Sequence, residues 1–240
     1  MAPLVVLPTF NEVANIATVL ERVRAAVPEA DVLVVDDGSP DGTADLAEEV
    51  GGRLGAIEVL RRPGKAGLGS AYRTGFRWGM ERGHDVLVEM DADLSHDPSD
   101  LPALLAAVDH GADLTIGSRY VPGGSIPDWS WHRRMLSRWG NRYAAGVLGL
   151  AVNDVTAGFR AYRAETLAEI DLDHVVADGY GFQIEMTYEV VRRGGRVVEV
   201  PISFTDRLRG DSKMSGRIVV EALVLVTWWA LRDRVLRLRR

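Results

Sequence analysis

Acidic residues that follow apolar runs are the first sign of chemistry in this sequence. Asp91-Ala92-Asp93 comes at once after Val86–Met90, Asp36 and Asp37 close Val32–Val35, and Glu12 follows Leu4–Leu7 and Pro8. Carboxylates gathered at one edge repel one another, and a divalent cation is the simplest compensation. A hard ion such as Mg2+ or Mn2+ takes oxygen from one or two carboxylates and leaves its other positions to substrate phosphates and water. Such an ion would offset charge developing on a departing pyrophosphate. The plain alternative is that Asp93 caps a turn, Asp91 is solvated and Asp36-Asp37-Gly38-Ser39 is an ordinary turn. Two acids at a strand tip equally suit a ribose or a base edge. Residue types alone leave both readings open.

Other chemistries find no support. There is no cysteine, which rules out disulfides and thiolate metal sites. His84, His96, His110, His132 and His174 are scattered, with no pair at metal-ligand spacing on one helix. Lys65-Ala66-Gly67-Leu68-Gly69-Ser70 fails the Walker pattern, because no Ser or Thr follows the lysine and the glycine spacing is wrong. No G-x-G-x-x-G follows the first apolar run, and no serine nucleophile elbow is present.

The acids need elements to hold them. Apolar runs at Leu4–Leu7, Val32–Val35, Ile57–Leu60, Val86–Met90 and Leu114–Ile116 read as buried strands. Between them, helical spacing predicts helices over Asn11–Val27, Thr43–Val50, Ala71–Arg82 and from Asp97-Pro98 to Asp109. Further on, Arg133–Leu148 and Phe182–Arg193 look helical and Arg196–Phe204 extended. Alternating strand and helix, with strands apolar on both faces, implies an α/β fold around a mostly parallel, Rossmann-like sheet covered on both sides. In such sheets ligands bind beyond the carboxyl ends of the strands, where the acids fall.

The 240 residues suit a single such domain, with or without a small appendage. The net charge of -6 argues against general nucleic-acid binding. Basic residues are nevertheless grouped: Arg133, Arg134, Arg138 and Arg142 in one segment, Arg232, Arg234, Arg237, Arg239 and Arg240 in another. Trp129, Trp131 and Trp139 accompany the first group and Trp228 and Trp229 precede the second. Ile218–Leu231 is shorter than the roughly 20 residues of a spanning helix, so both segments are expected to lie at a membrane interface. The rival is that these aromatics pack a core or a subunit contact. The N-terminus carries no basic region and its apolar run ends at Pro8, which argues against a secretory signal peptide.

Val5-Val6-Leu7-Pro8-Thr9-Phe10-Asn11-Glu12 followed by Val34-Val35-Asp36-Asp37-Gly38-Ser39-Pro40-Asp41-Gly42-Thr43 resembles the inverting glycosyltransferases of family two, which have the GT-A fold. Met90-Asp91-Ala92-Asp93-Leu94-Ser95-His96, Gly67–Tyr72, Gly117–Tyr120, Gly158–Tyr162, Gly179–Gln183, Pro201–Phe204, Asp206-Arg207 and Gly210–Lys213 resemble the polyprenol- and dolichol-phosphate mannose synthases. The likeness runs to about Gly216, which makes residues 1–216 a GT-A domain and 217–240 a C-terminal interfacial helix and tail.

The resemblance implies transfer of mannose from GDP-mannose to a polyprenyl phosphate lipid, with inversion. It implies that Pro8, Phe10, Glu12, Val35 and Asp37 hold the guanosine. Asp91, Ala92 through its backbone, and Asp93 would hold Mg2+ or Mn2+ and the sugar-diphosphate. Arg119, Arg207 and Lys213 would contact phosphates. The family usually has Gln or Ser two residues after the second Asp, here Ser95. A phosphomonoester acceptor is largely ionised at neutral pH and needs no general base. Arg119 and Arg133, with Ser137 nearby, are the candidates to seat it, since a guanidinium matches phosphate bidentately. Asp154, otherwise a suspect base, would orient or support. The implied setting is cytoplasmic, on the inner face of a membrane, with a separate membrane-anchoring protein as a partner. Two alternatives stand beside this: a polyprenol-phosphate glucose synthase using UDP-glucose, and a non-catalytic nucleotide-sugar-binding subunit.

Overall fold

The computed structural model describes residues 1–175, 177–206 and 223–232. Its order is β1 (Pro3–Thr9), α1 (Ile16–Ala26), β2 (Asp31–Asp36), α2 (Thr43–Leu54), β3 (Ile57–Arg61), α3 (Leu68–Glu81), β4 (Val86–Glu89), α4 (Leu101–Asp109), β5 (Leu114–Ser118), α5 (Trp131–Leu148), β6 (Arg160–Arg163), α6 (Ala164–Ala168), α7 (Gly179–Arg192) and β7 (Val197–Pro201). The strands form one sheet in the order β3-β2-β1-β4-β6-β5-β7. All neighbours are parallel except β6, which runs antiparallel to both β4 and β5.

Strand alternation sends Leu4 and Val6 to one face of the sheet and Val5 and Leu7 to the other. Each set founds its own core. Leu4 and Val6 join Leu33, Val35, Tyr72, Phe76 and Phe182. Val5 and Leu7 join Ile16, Leu20, Val32, Val34 and Leu104. α3 lies close against the sheet because Gly75 and Gly79 carry no side chain: a Cβ there would collide with Val6 Cγ1 and Leu87 Cδ1 respectively.

Two sequence expectations shift. The first helix begins at Ile16 rather than Asn11, because Asn11 takes a left-handed φ of 60°. The amides of Asn11, Glu12 and Val13 are instead taken by Ser39 Oγ, Thr43 Oγ1 and Asp41 Oδ2. The turn after β2 thus captures the turn after β1. Residues 160–163 form a strand that the apolar pattern does not announce, because the segment is only four residues long and begins and ends with arginine.

Residues 223–232 are helical. Val226 and Trp229 pack into the core on the α3 side, and Thr227 Oγ1 lies 2.8 Å from Tyr143 Oη of α5. Trp228 is 54% exposed, so the two adjacent tryptophans divide between core and surface. Along α5, Trp131, Met135, Leu136 and Trp139 are all exposed. Trp129, just before that helix, is buried. No helix among the described residues is long and apolar enough to cross a membrane.

Candidate active site

A cleft of about 680 Å³ opens at the carboxyl ends of the parallel strands. Pro8, Thr9, Phe10 and Glu12 reach it from the end of β1, Asp37 from β2, Asp91, Ala92 and Asp93 from β4, and Arg119 from β5. Lys65, ahead of α3, and Gly179, Tyr180 and Gly181, at the start of α7, complete much of the opposite wall.

At the β1–β2 end, the paired acids have separate tasks. Asp36 is spent on structure: it accepts from Thr9 Oγ1 at 2.9 Å, Ser39 N at 2.9 Å and Ser39 Oγ at 2.6 Å. Asp37 lines the cleft. It accepts from Ala66 N at 3.2 Å, and its Oδ1 forms an ion pair with Arg62 Nη1 at 3.2 Å that lacks hydrogen-bond geometry. Lys65 Nζ sits 4.8 Å above the Phe10 ring. This end offers a flat aromatic ring, a carboxylate and a cation, a set suited to a nucleoside.

In the middle, Asp93 is buried and its Oδ1 accepts from Ser95 N at 3.0 Å, so it does cap its own turn. Leu94 between them takes a left-handed φ of 64°, a conformation costly for a residue with a Cβ. Asp91 accepts from Tyr72 Oη at 3.4 Å, and its amide donates to His96 Nδ1 at 3.3 Å. Burial, and then the charges of Asp91, Glu89 and Asp93, push the Tyr72 phenol well above its ordinary pKa. The negative charge crowded here is of the kind a cation relieves. Among the described residues no group of three or more His, Cys, Asp or Glu is arranged for a metal. Two aspartates whose partner oxygens come from a substrate diphosphate fit a hard divalent ion all the same.

At the far end stand two arginines, each matched with an aspartate. Arg119 is buried and grips Asp154 bidentately, Nε to Oδ2 and Nη2 to Oδ1 at 2.7 Å each, with its own amide on Oδ2 at 2.9 Å. Nη2 also donates to Thr156 Oγ1 at 2.9 Å. Burial works against the Arg119 charge, but the attraction and hydrogen bonds of Asp154 outweigh it and raise the pKa above its ordinary value. Arg133 Nη1 reaches Asp206 at 2.9 Å and its guanidinium lies 4.0 Å over the Trp129 ring.

Residues 4–171 match the sequence pattern of Glycosyl transferase family 2. The chain belongs to that family. It is 56% identical over 234 residues to the undecaprenyl-phosphate mannosyltransferase of Micrococcus luteus, covering 98% of this chain and 96% of that one. It is 52% identical over 237 residues to the polyprenol monophosphomannose synthase of Mycolicibacterium smegmatis, covering 98% and 89%. Among solved structures, glucosyl-3-phosphoglycerate synthase from Mycobacterium tuberculosis, in complex with Mn2+, UDP-glucose and phosphoglyceric acid, superimposes with a TM-score of 0.74 over 95% of this chain and 79% of that one, at 20% identity. That likeness shows the GT-A fold.

Within this family-2 glycosyltransferase, the cleft gathers Pro8, Phe10, Glu12, Asp37, Asp91, Ala92, Asp93, Arg119 and Arg133 along one wall or another. Val35 is placed otherwise: its side chain is fully buried in the core beneath. Ser137 is not in the wall; it accepts from Tyr120 Oη at 2.7 Å. Arg207 and Lys213 lie outside the described residues. Sequence reasoning missed Lys65, Tyr180, Gln183 and Asp206 as cleft residues. The segments Gly179–Gln183 and Asp206-Arg207 carried the family likeness, but nothing in their spacing placed them opposite β4.

Proposed function

We propose that this glycosyltransferase moves mannose from GDP-mannose onto the phosphate of a polyprenyl lipid, with inversion at the sugar and with Mg2+ or Mn2+ present. One observation carries the reading: the acceptor end holds cations whose carboxylates are committed. Both Asp154 oxygens are held by Arg119, and Asp206 is paired with Arg133. An alcohol acceptor would need a base there, whereas a phosphate acceptor brings its own charge. The names of the two close relatives support the same acceptor class and the same sugar.

The residues then divide the work. Phe10, Asp37 and Lys65 receive the nucleoside. Asp91 and Asp93 would hold the ion, which supplies positive charge against the leaving diphosphate. Arg119 and Arg133 seat the lipid phosphate, and Asp154 keeps the Arg119 guanidinium in plane and charged. The exposed apolar residues of α5, together with Trp228, bring the cleft to the cytoplasmic face of a membrane.

The test is to incubate the purified chain with labelled GDP-mannose, polyprenyl phosphate and Mg2+ and then extract with solvent. Label enters the organic phase, and EDTA prevents it. Label that stays in water in all conditions defeats the proposal. A thermal shift with UDP but not GDP would transfer the reading to UDP-glucose.

A further inference from the structure

One polar side chain of the cleft has no task in this scheme. Gln183 of α7 is 2% exposed and lines the cleft; its amide lies near enough to Glu89 of β4 to restrain that carboxyl's pKa, but neither Oε1 nor Nε2 makes a well-formed hydrogen bond to a described residue. Its backbone is fixed, because the carbonyl accepts from Arg160 Nη1 at 2.8 Å and Thr187 Oγ1 at 3.0 Å. A buried amide without a partner costs about 1–3 kcal/mol, and an apolar side chain of the same length would avoid that cost.

The amide faces a particular spot. Gly158 lines the same cleft, and a methyl carried on it would lie 3.7 Å from Gln183 Nε2, 3.9 Å from Asp91 Oδ2 and 3.9 Å from His96 Cε1. An oxygen placed a few tenths of an ångström from that point comes within hydrogen-bond reach of the amide and the carboxylate together. An amide both donates and accepts, and a carboxylate accepts, which is the complement of a sugar hydroxyl. The spot adjoins Asp91, the diphosphate end of the site, where the hexose of a nucleotide-sugar must begin.

We infer that Gln183 holds a hydroxyl of the donor's hexose and helps set sugar specificity, with Gly158 left bare to admit the ring. The inference rests on the donor reading proposed above. Its rival is a structural role, in which the amide serves only Glu89, which faces it from β4.

Two variants of the full chain separate these roles: Gln183→Met, of matched length, and Gly158→Ala, which meets no atom closer than 3.7 Å. Binding of GDP and of GDP-mannose is measured by calorimetry with Mg2+ present, after thermal unfolding confirms the fold. Both variants bind GDP within about twofold of wild type and GDP-mannose roughly tenfold more weakly, Gln183→Met through the lost amide hydrogen bond and Gly158→Ala because its methyl takes the hydroxyl's place. Unchanged GDP-mannose affinity in both variants, or an equal loss for GDP, overturns the assignment. If wild type binds neither ligand, the donor reading fails first and this inference falls with it.

Discussion

Arg119 and Asp154 are the residues on which the acceptor argument turns. The pair is sequestered from water, with side-chain exposures of 5% and 0%, so each needs the other. Breaking one half of a buried ion pair costs about 3–5 kcal/mol, because the remaining charge stays buried and unpaired. Asp154→Asn is therefore expected to lower stability by about 3 kcal/mol in urea unfolding and to weaken polyprenyl-phosphate binding while leaving GDP binding in place. If Asp154 were instead a general base, the variant would keep its acceptor affinity and lose the chemical step, with the stability loss of the broken buried pair present in either case. That outcome would remove the argument for an already ionised nucleophile. Asp37 and Asp36 make the complementary point: neighbours in sequence, one faces the cleft and the other is consumed by Thr9 and Ser39.

At the scale of elements, the unusual seam is where antiparallel β6 is inserted between β4 and β5 and covered by α7. Arg160 of β6 is fully buried and spreads its donors over Ala157 O, Gln183 O, Thr187 Oγ1 and Val155 O, tying the 155–157 loop and α7 to the sheet. Glu89 of β4 faces the same seam. Burial pushes its carboxyl up to about 7, with Arg160 and then Gln183 and Tyr162 restraining the rise. A raised acid favours folding while it is protonated in both states, and that contribution fades as pH climbs between the unfolded and folded values. Metal-free protein is thus predicted to lose stability between about pH 4.5 and 7, by a few kcal/mol from this group. Glu89→Gln should flatten that part of the profile in urea titrations at pH 5 and 7.5. A wild-type profile that is already flat, or a variant with the same slope, would show that Glu89 ionises freely.

The whole molecule carries a polarity that no single element shows. The cleft opens at one edge of the sheet; Arg133 of α5 and Leu225 of the 223–232 helix line it, and the two helices are joined at Tyr143 and Thr227. Their exposed residues Trp131, Met135, Trp139, Val224, Trp228 and Leu231 offer a broad apolar surface next to arginines, the composition of a helix pair lying in a headgroup layer. Replacing Trp131, Met135 and Trp139 together by serine is expected to reduce recovery with anionic vesicles in flotation by roughly tenfold or more, as removal of that apolar area implies. GDP binding should not change. Equal flotation of the variant would reject this face as the membrane contact.

Much of this protein could be read without coordinates. The alternation of apolar runs and helical periods pointed to a parallel sheet, and the acids at the run ends offered a site at its carboxyl edge beside the plain-turn reading, because strand direction puts every such end on the same side. Asp37, Asp91 and Asp93 were legible for that reason; Arg119 and Arg133 were named only through the family resemblance and the need to seat an anionic acceptor. Three-dimensional packing decided the rest. Glu12 and its neighbours could not start a helix once the 39–43 turn claimed their amides, Val35 went to the core because its side chain takes the Val6 side of the sheet, and Trp228 and Trp229 parted because helical geometry turns adjacent residues about 100° from each other. Gln183 and Gly158 lie 25 positions apart on α7 and the loop before β6, and only folding sets them around one point beside Asp91. Local pattern determines elements and the edge where ligands gather; contacts between distant segments are set by the tertiary fold, which no periodicity records.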